Sequence, residues 1–332
     1  MSKSNRVSPP VSPAPRASGK AGALPSARRG SKPPARLSSR QIGIASGSVV
    51  LAVALVIILV AVTAGSGRAA PTTTTPAAGS STTTTTPPDV APALAKIASV
   101  PAAVLNEVGT GGFAASASTA ANAVNVIKDS RGVKVAEVDG KPAFFYVGAL
   151  FCPYCATERW SLLLALSRFG TFSGVTGAAS DPTDVFPNTQ TFSFVGSTYT
   201  SQYVSFSPVE VEDVDRQPLQ SLTATEKEIL SAWNPGVDIP FLYIGNKFLG
   251  GLPNWVNPEN LAGLTRTQIA ADLSNPNSPV GREIDANANY LTAAICSVDG
   301  DRPASVCQSP GVQAAMAQLK LLPAAQPIST AG

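Results

Sequence analysis

Apolar and polar positions along the chain fall into three regimes. Ile42 to Ala64 is an uncharged run of about 23 residues rich in Val, Leu, Ile and Ala, long enough to cross a hydrocarbon core of roughly 30 Å as a helix. No polar face interrupts it, which sets it apart from a helix buried in a soluble core. A Thr/Pro-rich segment over 65–89 follows, with threonine blocks at Thr72 to Thr75 and Thr82 to Thr86 and no apolar period. It reads as a stalk, either bare or carrying O-linked sugar. From Val90 the periodicities of a folded domain begin, and they run to Leu322.

Within that domain the pattern predicts Ala-rich helices over Ala91 to Val108 and Ser116 to Lys128, broken at Gly109 to Gly112. Val133 to Val138 alternates as a strand, and Asp139-Gly140 signals a turn. Pro142 to Gly148 is continuously apolar, as in a strand buried on both faces of a sheet. A helix with a broad apolar face then runs from Thr157 to Phe169. Thr191 to Val195 and Tyr199 to Val211 read as strands inserted before the next helix, which Thr223 and Glu226 open as a capping box and Asn234-Pro235-Gly236 closes after Trp233. Ile239 to Ile244 and Lys247 to Leu249 form a hairpin about Gly245-Asn246, and Pro258 to Leu322 is mainly helical. Trp160, Trp233 and Trp255 read as packing residues.

Charge changes the picture at the amino end. Residues 1–41 hold nine basic residues and no acidic one, whereas beyond Arg68 fourteen Lys or Arg face twenty-one Asp or Glu, a net of −7. The basic segment is rich in Pro, Ser and Ala and too poor in apolar residues to fold, so it is no nucleic-acid-binding surface. Placed before the apolar run, it keeps the amino terminus in the cytoplasm and sends the rest out. A cleaved signal peptide competes with the anchor, but the apolar run exceeds the usual length of such a segment. The predicted organisation is a disordered basic tail over 1–41, a transmembrane helix over 42–64, the stalk over 65–89, an extracytoplasmic domain over 90–322 and a disordered tail over 323–332.

The candidate chemistry lies in four cysteines. The chain has no histidine, which removes Ser-His and Cys-His pairs and the usual catalytic zinc sets. No phosphate loop or dinucleotide motif is present, and no cofactor is implied. The cysteines form two close pairs, Cys152/Cys155 and Cys296/Cys307, as suits an oxidising compartment. A zinc site would have to join the pairs across some 140 residues, and a disulfide between Cys152 and Cys155 would constrain the unfolded chain little. If Cys152 caps a helix with Pro153 as its first residue, the free amides and the positive dipole end face its sulfur, while Cys155 lies a turn further in. A dithiol catalyst needs this asymmetry, one thiolate to attack and one sheltered thiol to resolve. A thiol of pKa about 8.5 is only a few per cent ionised at neutral pH, and a shift to about 6.5 makes most of it thiolate. Pro153 and Tyr154 tune this site, Glu158 in the first turn opposes the shift, and Arg159 offsets Glu158. Cys296 and Cys307 read as a structural disulfide contributing roughly 3 kcal/mol by loop closure. Ile239-Pro240 leads into a strand, where proline signals either an edge or a cis bond.

Strand, Cys-Pro-Tyr-Cys, helix, and Ile239-Pro240 before a hairpin together resemble the thioredoxin-like fold, an α/β mixed sheet flanked by helices. That resemblance implies Cys152 as attacking thiol, Cys155 as resolving thiol, Pro240 as a cis proline and Ile239 as the residue whose backbone holds the substrate. The tetrapeptide is similar to that of glutaredoxins, although no glutathione site is evident. The blocks Gly140-Lys141-Pro142, Phe151 to Trp160, Phe169 to Phe172, Pro208-Val209-Glu210 and Ile239-Pro240-Phe241 resemble a membrane-tethered prokaryotic family known as domain of unknown function 929. About 85 residues separate Cys155 from Pro240, room for inserted strands, and a helical extension follows the hairpin. The expected function is thiol-disulfide exchange on cysteine-containing exported proteins with a separate electron donor or acceptor; a non-catalytic binding or assembly module with structural cysteines is the alternative.

Overall fold

A computed structural model describes residues 87–112, 124–251 and 256–321. The basic tail, the apolar run, the stalk as far as residue 86, residues 116–123, Trp255 and the terminal tail lie outside the described residues. Among the described residues no helix is long and apolar enough to cross a membrane.

The elements in chain order are α1 (Val90–Ala98), α2 (Ala102–Val108), β1 (Val124–Val126), β2 (Glu137–Val138), β3 (Lys141–Gly148), α3 (Pro153–Ser167), β4 (Gly170–Ser173), β5 (Thr176–Ala179), β6 (Gln190–Ser193), β7 (Thr198–Ser201) and β8 (Ser205–Glu210). There follow α4 (Ala224–Trp233), β9 (Phe241–Ile244), β10 (Phe248–Gly250), α5 (Arg266–Asp272), α6 (Pro279–Asp299), α7 (Ala304–Cys307) and α8 (Pro310–Gln318).

β3 is the axis of a mixed sheet: β8 runs parallel to it, β9 antiparallel, and β10 and β1 continue antiparallel beyond β9. Its residues are apolar without alternation because both faces are covered. Phe144 and Tyr146 enter the core beneath α3 and α6, whereas Phe145 and Val147 pack with Ile229 and Leu230 of α4. β9 repeats the division, with Leu242 and Ile244 on one side and Phe241 and Tyr243 on the other. The result is a mixed sheet flanked by helices, with inserted strands before β8 and a helical segment after β10.

α3 is buried all round rather than along one face, from Cys155 to Leu166. α6, α1 and the inserted strands cover it together. β5 pairs with β6 and β4 with β7 in two small ribbons outside the main sheet. Phe192 of β6 packs its ring on Trp160 at 4.8 Å, and the Trp160 indole N–H donates to the Gln190 carbonyl at 2.9 Å. The capping box at Thr223 and Glu226 forms as predicted.

Several expectations are corrected. The single helix over Ala91 to Val108 is two, because Pro101 is extended at the start of α2 and proline disfavours helical backbone in the residue before it. Val124 to Val126, placed in a helix by its Ala-rich flank, is a strand paired to β10, as β-branched residues on a sheet edge favour. Val133 to Val138 is a strand only at its end, since Tyr243 Oη takes the Val135 carbonyl at 2.7 Å and Asn246 Nδ2 the Val133 carbonyl at 3.1 Å. Tyr199 to Val211 is not one strand but β7 and β8. Ser201 Oγ accepts the N–H groups of Tyr203 and Val204 at 3.0 and 3.3 Å and turns the chain between them.

Cys296 of α6 and Cys307 of α7 form a disulfide, both fully buried. Gly300 ends α6 in the left-handed conformation with φ of 79°, which glycine adopts without strain. Replacing both cysteines by serine is expected to lower unfolding free energy by at least about 3 kcal/mol, the two buried hydroxyls adding to the lost loop closure, read as a fall in denaturant midpoint. An unchanged midpoint would show the bond to be dispensable.

Candidate active site

β3 ends at Gly148, and within four residues the chain enters α3 with Cys152 as the N-cap and Pro153 in the first turn. Proline suits this place because its missing N–H would have no helical partner. The Cys152 sulfur accepts the Cys155 backbone N–H at 3.2 Å, as a serine hydroxyl would in an ordinary cap. Both cysteines are free thiols, Cys152 5% exposed and Cys155 0%.

The second half of the site comes from the segment between α4 and β9. The Ile239–Pro240 peptide is cis, and the Cys152 thiol donates to the Ile239 carbonyl at 3.9 Å. Gly251, with φ of 108°, lets the chain pass against Pro240, where a Cβ would overlap the Pro240 carbonyl. Beside Pro240 lies a groove of about 350 Å³ lined by Trp233, Asp238, Phe241, Leu249 and Gly250. Cys152, Cys155, Ile239 and Pro240, predicted from residues far apart in the chain, are thus assembled in one place. Cys296 and Cys307 are bonded to each other and not to this pair.

The two thiols differ electrostatically. Hydrogen bonding from the Cys155 side chain holds the Cys152 thiol below its ordinary value against the opposing effect of burial, helped by the Cys155 backbone N–H and the Arg159 charge. Burial first, and then the neighbouring Cys152, push the Cys155 thiol well up. One sulfur therefore ionises ahead of the other.

The opposition of Glu158 and Arg159 takes a different form from the one read in the sequence. Glu158 stands in the second turn, faces α6 and accepts from Asn287 Nδ2 at 3.1 Å. Burial raises its carboxyl to about 8, so at neutral pH it carries little charge. Arg159, the next residue round the helix, faces the sheet instead and is clamped to Glu210 at the end of β8 by bonds of 2.8 and 2.7 Å. No role for Glu210 is legible in the sequence: β8 reads Ser-Phe-Ser-Pro-Val-Glu, polar and apolar residues mixed, so a closing acid does not stand out.

The rim is built by the loop between β5 and β6 and the connection between β8 and α4, which spacing alone could not show. The Asp181 N–H donates to the Phe151 carbonyl at 3.0 Å, and the Arg216 guanidinium lies over the Phe151 ring at 3.8 Å while facing Asp181 and Asp184 at 3.7 and 3.9 Å. Tyr154, 38% exposed, meets the Phe186 ring edge-on at 6.0 Å. Among the described residues no three His, Cys, Asp or Glu side chains cluster as a metal site would require.

Residues 134–243, which run from just before β2 through the dithiol into β9, match the model of a family described as Domain of unknown function (DUF929). No curated protein and no solved structure matches the chain.

Proposed function

We propose that this chain is a membrane-anchored, extracytoplasmic thiol-disulfide oxidoreductase on a thioredoxin-like fold, acting on cysteines of exported proteins. The observation that carries the reading is the division of labour at the helix start: Cys152 is the more ionised sulfur and lies against the cis Ile239–Pro240 peptide, while Cys155 is buried and held protonated. The strand order β8, β3, β9, β10, with one parallel and two antiparallel pairings, supports the fold assignment. The anchor and the outward placement rest on the apolar run and the basic segment before it.

In the exchange, the Cys152 thiolate attacks one sulfur of a client disulfide. One S–S bond forms, one breaks, and the departing client sulfur takes a proton. Cys155 then gives up its proton and attacks the Cys152 sulfur, releasing the second client thiol and leaving a Cys152–Cys155 disulfide. Two electrons have passed to the client; the reverse sequence oxidises a client dithiol. A second dithiol or disulfide protein resets the pair by the same chemistry. The groove beside Pro240 offers room for client residues flanking the reacting cysteine.

The 5% exposure of Cys152 favours a second reading, a binding or assembly module whose cysteines do not turn over. Equilibrating the full-length chain in detergent with mixtures of reduced and oxidised glutathione separates the two. The oxidoreductase reading expects a reversible Cys152/Cys155 couple above about −300 mV, and its position assigns the direction of transfer. A couple well below that value, with thiols closed to alkylation, would favour the module.

A further inference from the structure

Arg159 is fully buried one helical turn after Cys155. Its Nε and Nη2 donate to the two carboxylate oxygens of Glu210, and Nη2 also donates to the Ala149 carbonyl at 2.7 Å. That same carbonyl accepts the Cys152 N–H at 3.3 Å. The guanidinium therefore holds the atom from which the reactive turn hangs. Glu210 is fixed in its own right: its N–H donates to Gln220 Oε1 at 2.9 Å, and its carbonyl accepts the Gln220 N–H at 3.0 Å.

A buried ion pair kept only for packing gains little over apolar residues of the same size, and it satisfies its donors when it is kept. Here Arg159 Nη1 is buried with no hydrogen-bond partner among the described residues, as is Tyr146 Oη from β3. The ionisable groups that feel the Arg159 charge are the Cys152 and Cys155 sulfurs on its own helix, Tyr146 from β3 and Glu210 from β8. Glu158 is turned to Asn287 on α6 and stands outside this set.

We propose that Arg159, oriented by Glu210, is a positioning residue of the dithiol: it fixes the turn through the Ala149 carbonyl and places a compensated cation behind both sulfurs. The proposal rests on the thiol-exchange reading and deepens it, since the charge balance of this pair sets how readily Cys152 begins the exchange. A charge role predicts opposite responses to two substitutions, which a packing role does not. Glu210→Gln keeps the shape and leaves the cation uncompensated, favouring the Cys152 thiolate. Arg159→Met combined with Glu210→Leu removes both charges and disfavours it.

The test is the pH profile of iodoacetamide alkylation at Cys152 in the full-length chain, followed by peptide mass, alongside exchange with glutathione disulfide. At pH about 6 the alkylation rate is expected to rise at least about threefold in Glu210→Gln and to fall by a similar factor in the double variant. Shifts in the same direction, or none in either, would overturn the proposal. If the double variant does not fold, Glu210→Gln decides alone, and an unchanged or lower rate overturns the idea. A wild-type chain that fails to exchange with glutathione disulfide would instead overturn the oxidoreductase reading, a different result from wild-type exchange with unresponsive variants.

Discussion

Cys155→Ser is expected to convert the chain into a trap, accumulating client proteins joined through Cys152 and visible as reductant-sensitive bands, whereas Cys152→Ser accumulates none. The asymmetry follows from the geometry. Cys152 caps α3, receives the Cys155 amide at 3.2 Å and borders the rim, whereas Cys155 lies inside with no exposed surface. With Cys152 gone, the remaining sulfur is both protonated and out of reach, so exchange with glutathione disulfide should fall by several orders of magnitude. With Cys155 gone the first attack proceeds, but nothing resolves the mixed disulfide. Cys155→Ser places a hydroxyl in a buried site, at a cost of about 1–3 kcal/mol if it finds no partner, so both variants should be compared at a temperature where each is folded. Equal trapping by both, or by neither, would remove the catalytic assignment.

How far the sequence carried this reading depended on the range of the interactions involved. The N-cap at Cys152, the capping box at Thr223 and the hairpin about Gly245-Asn246 are local, fixed by a few neighbouring residues, and each forms as predicted. The continuous apolar run of β3 likewise announced its burial on two faces. The roles of Glu158 and Arg159 were not legible, because adjacent residues on a helix point about 100° apart and their meaning depends on what each meets. Glu158 meets Asn287, 129 positions on, and Arg159 meets Glu210, 51 positions on. The pattern showed that strands were inserted, but not that β6 packs on α3 through Phe192 and Trp160 or that Asp181 and Arg216 reach Phe151. Alanine content misled at Val124, where pairing to β10 outweighed helix propensity.

The same burial that silences Glu158 predicts a stability that declines as pH rises through neutrality. Burial raises Glu158 to about 8, opposed by the Asn287 amide, and raises Asp285 to about 8, opposed by the Arg168 charge. Glu158 Oε1 and both Asp285 carboxylate oxygens are buried with no hydrogen-bond partner among the described residues. In the unfolded chain these groups ionise near pH 4. Between that value and about 8 the folded state binds more protons than the unfolded state, so their favourable contribution is complete below about pH 4 and lost as pH climbs to about 8. Each group can change stability by at most about 1.4 kcal/mol per pH unit, and relaxation or water entry on ionisation reduces this. Unfolding of the full-length chain in denaturant should therefore give an unfolding free energy several kcal/mol lower at pH about 8 than at pH about 5, seen as a lower midpoint. Glu158→Gln, which can keep the Asn287 bond through its carbonyl oxygen, should flatten the slope and stabilise the chain at the higher pH by about 2 kcal/mol, with little effect at the lower. Asp285→Asn should act in the same direction. The outcome that would sink the idea is a Glu158→Gln chain whose stability runs parallel to wild type across the window, because a carboxylate already ionised at neutral pH has no proton left to lose there.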